Sequence, residues 1–514
     1  MIGVIKHKGI DKTRKNDPTP ASLESTRHPV QFASLPFLLF FLLVLSLYWL
    51  NTKHPRVQKW ILLLSSYAFY TIPFYEQSGW KPLSLLLFST SLLYSFGTLI
   101  STSNRKNKAI ALGTGIALQI GILAIHKYFG FFRESTLEII HFFGLKAHIP
   151  LLDIILPIGV SFYCFQGIAY LIDLYRGHAS PVHSLLDLAL YQAFFPKLLL
   201  GPICRTQDLI PQIENPRAYI PNIHHAVLLI LSGVIKKVLL ATLLFESGVP
   251  NAFWDPESQT TMGLWIAGFG YSAQLYCDFS GYTDMALGIA LLFGYVLPPN
   301  FASPYSATNL GDFWKRWHMS FSQWLRDYIY LPLGGSWKSP LRVSLNLFLT
   351  FLFCGLWHGA SWGYILWGGI HGIGLAINKR RRDAKRKRGI HPTEQTPFFA
   401  VLGWLYTMLF IMLSRIVFQA PDLELAWVYY TRMFSWHSNG EAISYSMLFL
   451  SMVAFASNFF GPILFSFLSD KIAPQEPNPR FFSVLGGSIL VILCFYIIFG
   501  FMPSGIPPYL YARF

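Results

Sequence analysis

Three histidines, His318, His358 and His371, are the side chains of this sequence best suited to proton transfer. His358 stands in the motif GLWHG, inside a run of residues that is otherwise apolar enough to span a membrane. An ionisable side chain at membrane depth is costly, so its presence there predicts a function. The flanking Gly355 and Gly359 would let backbone or substrate approach closely. A neutral imidazole can take a proton from a hydroxyl, so we predict that His358 is the general base of an acyl transfer. The alternative is a histidine that only bonds a neighbouring helix.

His318 and His371 carry weaker signals than His358. His318 lies in KRWHMS beside Trp314 and Phe321, and these residues alone also fit an interfacial histidine that makes one hydrogen bond. His371 lies in WGGIHG, where small residues predict tight helix packing, so we interpret it as structural. Three histidines could also bind a metal ion. Their spacing is not that of local ligands and no carboxylate is obviously paired with them, so we predict no metal site.

Acidic side chains interrupt a second apolar region. Asp278 and Asp284 lie in YCDFSGYTD, and intramembrane acids of this kind line cavities or relay protons. They could instead pair with basic side chains such as Arg316 or Arg326. Both roles stay open at this point.

Polar residues and prolines mark a third region. Gln166 and Asp173 lie in the apolar run 155–177, and FFPKLLLGPICR follows with Pro196 and Pro202. A Pro-Lys pair and a Gly-Pro pair within one short apolar run predict a broken helix at a cavity wall rather than a simple span.

Residues 312–330 are predicted to form one helix that lies at the headgroup level of the membrane. Asn309 or Asp312 could cap its start, and Pro332 with the following glycines would end it. Basic residues fall on a different helical face from the aromatic ones, and this pattern suits an interfacial helix. The residues of the aromatic face are Phe313, Trp317, Phe321, Trp324 and Tyr328.

The whole composition places these residues in a membrane protein. Of the 514 residues, 53% are hydrophobic and 13% are charged, whereas soluble domains carry about 25% charged residues. Apolar windows of roughly 20 residues recur along most of the chain, and each can cross the hydrocarbon core. The runs are continuous rather than alternating, which excludes a transmembrane barrel. We therefore predict an all-α, polytopic membrane protein with about 11–13 transmembrane helices plus interfacial and re-entrant helices.

The predicted spans begin near residue 32. They are 32–50, 57–75, 82–100, 109–132, 150–174, 185–202, 224–247, 261–277, 282–297, 341–357, 361–377, 397–419, 443–468 and 482–503. Residues 1–30 are polar and basic with little to bury, which predicts a disordered tail. Residues 31–514 are predicted to form one membrane-embedded domain.

Charge and cysteine placement exclude several classes of function. The net charge is +15, but basic residues of membrane proteins mark cytoplasmic loops, so we predict no nucleic-acid partner. Segment 379–388, KRRRDAKRKR, follows a span directly and predicts a cytoplasmic side and contact with anionic lipid. The cysteines are scattered without a CxxC pair and are expected to be buried apolar residues. The absence of GxSxG and Walker motifs argues against a hydrolase or an ATP-driven pump.

Five blocks of this sequence resemble the membrane-bound O-acyltransferase family, in its bacterial branch for alginate O-acetylation. They are LPIGVSFYCFQGIAYLIDLYRG, FFPKLLLGPICR, YCDFSGYTDMALGIALLFGY, NFASPYSATNLGDFWKRWHMSFSQWLRDYIYLPLGG and GLWHGASWGYILWGGIHG. They occur in family order and cover most of residues 155–375. By this resemblance the family's near-invariant histidine corresponds to His358, and the second functional polar position corresponds to His318. Lys197 departs from the pattern, since relatives often carry Gln there.

The resemblance implies a funnelled chamber that acyl-CoA reaches from the cytoplasm. It implies that acetyl from acetyl-CoA crosses the membrane for O-acetylation of an extracytoplasmic polysaccharide such as alginate, peptidoglycan or cellulose, with no permanently bound cofactor. His358 would be the base, and His318 would orient the acceptor or stabilise charge on the thioester carbonyl. The expected location is the bacterial cytoplasmic (inner) membrane, with an accessory acetyltransferase in the periplasm or membrane as partner. Transfer of D-alanyl or another small acyl group, and a non-enzymatic role as transporter or scaffold of a polysaccharide-export complex, are the alternatives.

Overall fold

The fold comes from a computed structural model that describes residues 32, 34–72, 75–150, 154, 156–389, 396–440 and 445–472. The predicted tail at residues 1–30 and the predicted span at 482–503 lie outside the described residues. Every regular element within the described ranges is helical, so the predicted all-α class is confirmed.

The helices follow one another with short connections. In the first half they are α1 (Leu35–Leu50), α2 (Pro55–Thr71), α3 (Tyr75–Ser78), α4 (Lys81–Thr102), α5 (Arg105–Leu123), α6 (Phe129–Phe142), α7 (Val160–Arg176), α8 (Leu185–Ala193), α9 (Phe195–Leu198), α10 (Thr206–Glu214), α11 (Ile223–Val234), α12 (Thr242–Glu246) and α13 (Asn251–Trp254). In the second half they are α14 (Thr261–Leu292), α15 (Leu310–Arg316), α16 (Met319–Leu325), α17 (Pro340–His358), α18 (Trp362–Lys387), α19 (Pro397–Gln419), α20 (Leu423–Phe434) and α21 (Tyr445–Ile472). Three π-helical turns, Ala124–Tyr128, Ile235–Ala241 and Arg326–Tyr330, continue α5, α11 and α16.

Six helical stretches of the described chain are long and apolar enough to cross a membrane. They are Lys81–Thr102, Arg105–Phe142, Ile223–Glu246, Pro340–His358, Pro397–Gln419 and Tyr445–Leu468. Large apolar side chains such as Leu99, Leu349 and Phe460 are exposed on these helices, as expected where a helix faces lipid. The other predicted spans are shorter, interrupted or outside the described residues, so the predicted number of crossings stays a prediction.

The prediction of two spans at 261–277 and 282–297 was wrong, because one continuous helix, α14, covers Thr261–Leu292. The two aspartates that suggested the break are ion-paired with lysines of the π-helical turn Ile235–Ala241. A carboxylate that is paired in this way can remain inside a helix at membrane depth, so the chain did not need to break there.

The prediction of one interfacial helix over residues 312–330 was also wrong. The chain breaks at Trp317 and His318, between α15 and α16. Its aromatic residues are buried in the protein rather than exposed at a surface, since they pack against neighbouring helices, as when Trp324 stacks on Phe165 at 4.1 Å between ring centroids. The cap at Asn309 is confirmed, because its side chain accepts a hydrogen bond from the Asp312 backbone N–H at 3.0 Å.

Two predictions about helix ends have different outcomes. The span predicted at 150–174 is a helix only over Val160–Arg176, because Gly159 takes a left-handed φ of 83° immediately before it. The break predicted near Pro196 is present, since α8 ends at Ala193 and the short α9 follows.

Helices α17 and α18 form the hairpin that carries two of the histidines. Gly355 of α17 lies against Gly368 of α18, where an added Cβ on Gly355 would come within 3.1 Å of the Gly368 Cα and would overlap the Tyr364 carbonyl. The hairpin therefore depends on glycine at this crossing, as small residues allow close helix approach in membranes.

Candidate functional site

His358 is the last residue of α17, and the extended backbone of Gly359 stops the helix directly after it. The imidazole is 2% exposed and is surrounded by aromatic rings. Its centroid lies 4.9 Å from that of Trp357, 5.1 Å from that of Trp367 and 5.2 Å from that of Phe418. The glycines therefore serve the helix end and the packing of α18, while the rings hold the imidazole in place.

A cleft of about 470 Å³ reaches His358 from one side. Its walls include Lys127, Ser161, Phe162 and Trp357 in addition to His358. A base at the wall of a narrow, mostly apolar cleft can meet a substrate hydroxyl with little competing water. The cleft is thus suited to proton transfer at His358.

Lys127 places a cation in this cleft. Its Nζ donates to the Trp357 carbonyl at 2.5 Å and to Ser161 Oγ at 3.5 Å, and it lies 5.6 Å from the centroid of the Trp357 ring. No described residue forms an ion pair with Lys127. The charge is therefore available to the contents of the cleft.

The sequence analysis did not single out Lys127. A signal was present, since Lys127 lies within the apolar run 109–132 and intramembrane lysines are rare. What the sequence could not show is its contact with a residue 230 positions away.

His318 lies at the break between α15 and α16 in a left-handed conformation, with φ of 45°. Apart from Ser303, no other non-glycine residue of the described chain has positive φ. Such a conformation costs roughly 1–2 kcal/mol for a residue with a Cβ, and it persists only where the surroundings fix it. The strain therefore marks this position as one that the fold holds deliberately.

Asn300 fixes the break at His318. Its side-chain Oδ1 accepts from Ser320 N at 3.2 Å and from Ser320 Oγ at 2.6 Å, and its carbonyl accepts from Met319 N at 2.9 Å. Ser320 Oγ in turn accepts from Ile203 N at 3.0 Å. Asn300 is fully buried, and its position at the start of a motif was its only signal in the sequence.

The two histidines predicted as site residues are brought together by two shared aromatic neighbours. The His318 ring lies 5.0 Å from Phe321 and 6.0 Å from Trp357, and the His358 ring lies 6.2 Å and 4.9 Å from the same two centroids. His318 also contacts Phe279 edge-on at 4.8 Å and is 1% exposed. The interfacial alternative for His318 is therefore wrong, because the residue lies in the interior.

His371 is a packed, hydrogen-bonded histidine. One ring nitrogen, Nδ1, accepts from Trp314 Nε1 at 3.2 Å, and the other, Nε2, lies 3.0 Å from Ser414 Oγ. Both ring nitrogens are thus occupied by partners within the protein. The structural interpretation of His371 agrees with this geometry.

Asp278 and Asp284 lie in ion pairs and not in the cleft of His358. Lys237 pairs with Asp278, and Lys236 lies 2.7 Å from Asp284 Oδ2. The basic partners suggested by the sequence, Arg316 and Arg326, pair instead with Asp312 and Asp327. That suggestion was wrong because the lysines lie on a π-helical turn packed directly against α14, which linear spacing does not reveal.

The other polar residues singled out in the sequence also have internal partners. Lys197 donates to Gln166 Oε1 at 2.9 Å and lies 5.1 Å from the ring centroid of Tyr191. Asp173 accepts from Tyr328 Oη at 2.6 Å. Within the part of the chain that the structure describes, no three His, Cys, Asp or Glu side chains are grouped so that they could hold a metal ion.

Comparison with known proteins finds a family model and several relatives. The model described as MBOAT, membrane-bound O-acyltransferase family, matches residues 176–418, a range that contains His318 and His358. A Pseudomonas aeruginosa protein named "Probable alginate O-acetylase AlgI" is 37% identical over 409 residues, which are 79% of this chain and 75% of that protein. The peptidoglycan O-acetyltransferase of Helicobacter pylori is 35% identical over 431 residues, 77% of this chain and 76% of that one. The teichoic acid D-alanyltransferase of Streptococcus thermophilus is 28% identical over 284 residues, 51% and 68% of the two chains.

Proposed function

Because this chain belongs to the membrane-bound O-acyltransferase family and is a multi-pass membrane acyltransferase, we propose that it moves acetyl from cytoplasmic acetyl-CoA across the membrane for O-acetylation of an extracytoplasmic polysaccharide. The observation that carries this proposal is the position of His358 at the wall of a cleft that also holds the Lys127 ammonium. The relatives named for alginate and peptidoglycan O-acetylation support the acetyl group and the glycan class.

His358 acts as the general base in this proposal. It accepts the proton of the acceptor hydroxyl as the oxygen attacks the thioester carbonyl. The new ester C–O bond forms, the C–S bond breaks, and the thiolate leaves and takes up the proton from the imidazolium. No other proton donor is needed, since base and acid are the same side chain.

His318 and Lys127 assist the same step in different ways. The fixed position of His318, set by Asn300, suits orientation of the acceptor or stabilisation of charge on the carbonyl oxygen. The Lys127 ammonium lies in the cleft and favours negative charge that develops there. In a medium of low dielectric such preorganised groups act more strongly than in water.

The proposed setting is the bacterial cytoplasmic membrane. Acetyl-CoA is the substrate that supplies the acyl group, and no permanently bound cofactor is proposed. An accessory acetyltransferase in the periplasm or membrane is the proposed partner that completes transfer to the glycan. The basic segment 379–388 extends α18 beyond its apolar part and is proposed to face the cytoplasm and its anionic lipids.

Transfer of a D-alanyl group is the second candidate. A teichoic acid D-alanyltransferase is among the relatives. The match to the alginate O-acetylase covers more of this chain and is higher in identity, 37% over 79% against 28% over 51%. Acetyl transfer is therefore the function we favour.

The test is thiol release from acetyl-CoA by the purified full-length protein in proteoliposomes, together with mass spectrometry of cell-envelope glycans. We expect His358→Ala to abolish both acetyl transfer and glycan O-acetylation while membrane insertion and protein level stay normal. His371→Gln is the matched control, because this residue is equally buried and Gln keeps hydrogen-bonding groups for Trp314 and Ser414. We expect it to retain most of the activity.

Two results would contradict the proposal. Glycan acetylation that survives His358→Ala would remove the central role of this residue. Turnover with D-alanyl thioester but not with acetyl-CoA would assign the chain to the second candidate function.

A further inference from the structure

A second cavity lies one aromatic layer away from His358. Its volume is about 310 Å³. Trp367 and Phe418, whose rings contact His358, also line this cavity. The far wall is formed by Trp317 and Arg415.

Arg415 is a buried cation with neutral partners. It is 5% exposed, and its Nη1 donates to Tyr305 Oη at 2.6 Å and to the Ser272 carbonyl at 3.3 Å. Its guanidinium carbon lies 4.5 Å from the centroid of the Trp317 ring. No carboxylate of the described chain pairs with it, and Nε and Nη2 bond no residue that the structure describes.

A guanidinium stays charged when it is buried, because its pKa is too high for deprotonation. Burial of a charge without an opposite charge is costly. Arg415 is also the only charged residue in the apolar helix α19, so lipid-facing or solvent contacts do not account for it. A cation with unused N–H donors at the wall of a cavity is the arrangement of a site for an oxyanion.

We propose that this cavity binds a compact oxyanion, a carboxylate or a phosphate, that belongs to one of the two substrates of the acyl transfer. The inference rests on the proposed function, since the cavity lies beside the proposed base. A carboxylate would come from an acidic sugar or another acidic acceptor, and a phosphate would come from the acyl donor. The aromatic walls fit either source, because sugar faces and apolar chains both pack on tryptophan rings.

The first experiment measures the melting temperature of the purified full-length protein with sodium glucuronate, sodium phosphate, glucose or sodium chloride at matched ionic strength. A ligand that binds the folded protein raises this temperature in proportion to occupancy. We expect glucuronate or phosphate to stabilise the wild type more than chloride or glucose do. The effect should be lost in Arg415→Met and kept in Arg381→Met, which removes an exposed arginine of α18.

The second experiment measures steady-state kinetics of acetyl transfer. If the oxyanion belongs to the acceptor, Arg415→Met raises the KM for an acidic acceptor about tenfold or more, and the KM for acetyl-CoA stays unchanged. If it belongs to the donor, the KM for acetyl-CoA rises instead. Arg415→Lys keeps the charge but loses the planar fork, so it should weaken binding less than Arg415→Met does, and it serves as the test variant if Arg415→Met fails to fold.

The proposal is overturned if all four solutes give the wild type the same melting temperature, or if wild type and Arg415 variants respond alike to glucuronate and phosphate. Anion binding is measured without turnover, so its outcome does not depend on whether His358→Ala abolishes acetyl transfer. Failure of one proposal is therefore distinguishable from failure of the other.

Discussion

The ammonium of Lys127 donates a 2.5 Å hydrogen bond to the carbonyl of Trp357, the residue that precedes His358. Beside it, Tyr128 Oη donates to the Leu356 carbonyl at 2.8 Å. Two carbonyls at the C-terminal end of α17, which have no partner within their own helix, are thus bonded by consecutive residues of a π-helical turn. This turn therefore both anchors the end of the helix that carries His358 and brings a positive charge into the cleft.

Lys127→Met should lower the rate of acetyl transfer about tenfold or more, because it removes a charge-assisted hydrogen bond and the cation of the cleft. Lys127→Arg should recover part of the rate, since it restores the charge. Initial rates of thiol release measure both. Tyr128→Phe is the control, because it removes a neutral hydrogen bond from the same helix end and should have the smaller effect. A Lys127→Met rate within twofold of wild type would show that the cation does not act in the reaction.

His318→Gly should be more stable than His318→Ala by about 1 kcal/mol, because only glycine adopts the left-handed backbone there without strain. This order is the reverse of the usual one for helices, where alanine is the more stable. At Gln323, an exposed position within α16, the usual order should hold. Chemical or thermal unfolding of the four variants measures the difference. Both His318 variants should lose acetyl transfer, and an equal order at the two positions would show that His318 is unstrained in the protein.

Asp278→Ala should destabilise the protein by about 3–5 kcal/mol, because it leaves the Lys237 charge buried beside α14 without its carboxylate. The double variant Asp278→Leu with Lys237→Met should regain most of that stability, since neither charge then remains. Lys379→Ala is the control at an exposed pair, where Lys379 Nζ lies 2.6 Å from Asp383 Oδ1, and it should cost about 1 kcal/mol or less. If the double variant is no more stable than Asp278→Ala, the loss comes from packing and not from the unpaired charge.

Gly355→Ala should destabilise the α17–α18 hairpin by about 1–3 kcal/mol, because the new methyl group would overlap the Tyr364 carbonyl and crowd Gly368. The same substitution at Gly113 of α5 meets no atom within 4 Å. It should be neutral or stabilising by up to about 1 kcal/mol. Melting temperatures of the two variants test the contrast. A Gly355→Ala protein as stable as wild type would mean that the two helices can separate at no cost.

Much of the site was visible in the sequence because its signals are local. The apolar runs determined a helical membrane protein, since hydrophobic length alone decides whether a segment can cross a bilayer. His358 was identified from its own surroundings, as an ionisable residue within an apolar run. The five motif blocks identified the family and added His318, whose own neighbours in the chain left an interfacial role open.

The tertiary structure alone decided which residues surround these histidines. Linear spacing predicted one surface helix around His318, but hydrogen bonds from Asn300 and Ser320 break that helix and bury the residue. It predicted a break in α14, but lysines about 40 to 50 residues away pair with the aspartates and keep the helix continuous. Lys127 and Arg415 are single cations in apolar runs, and their positions beside the two cavities depend on contacts between distant parts of the chain. Burial and charge pairing are set by such long-range contacts, which a pattern of neighbours along the chain does not contain.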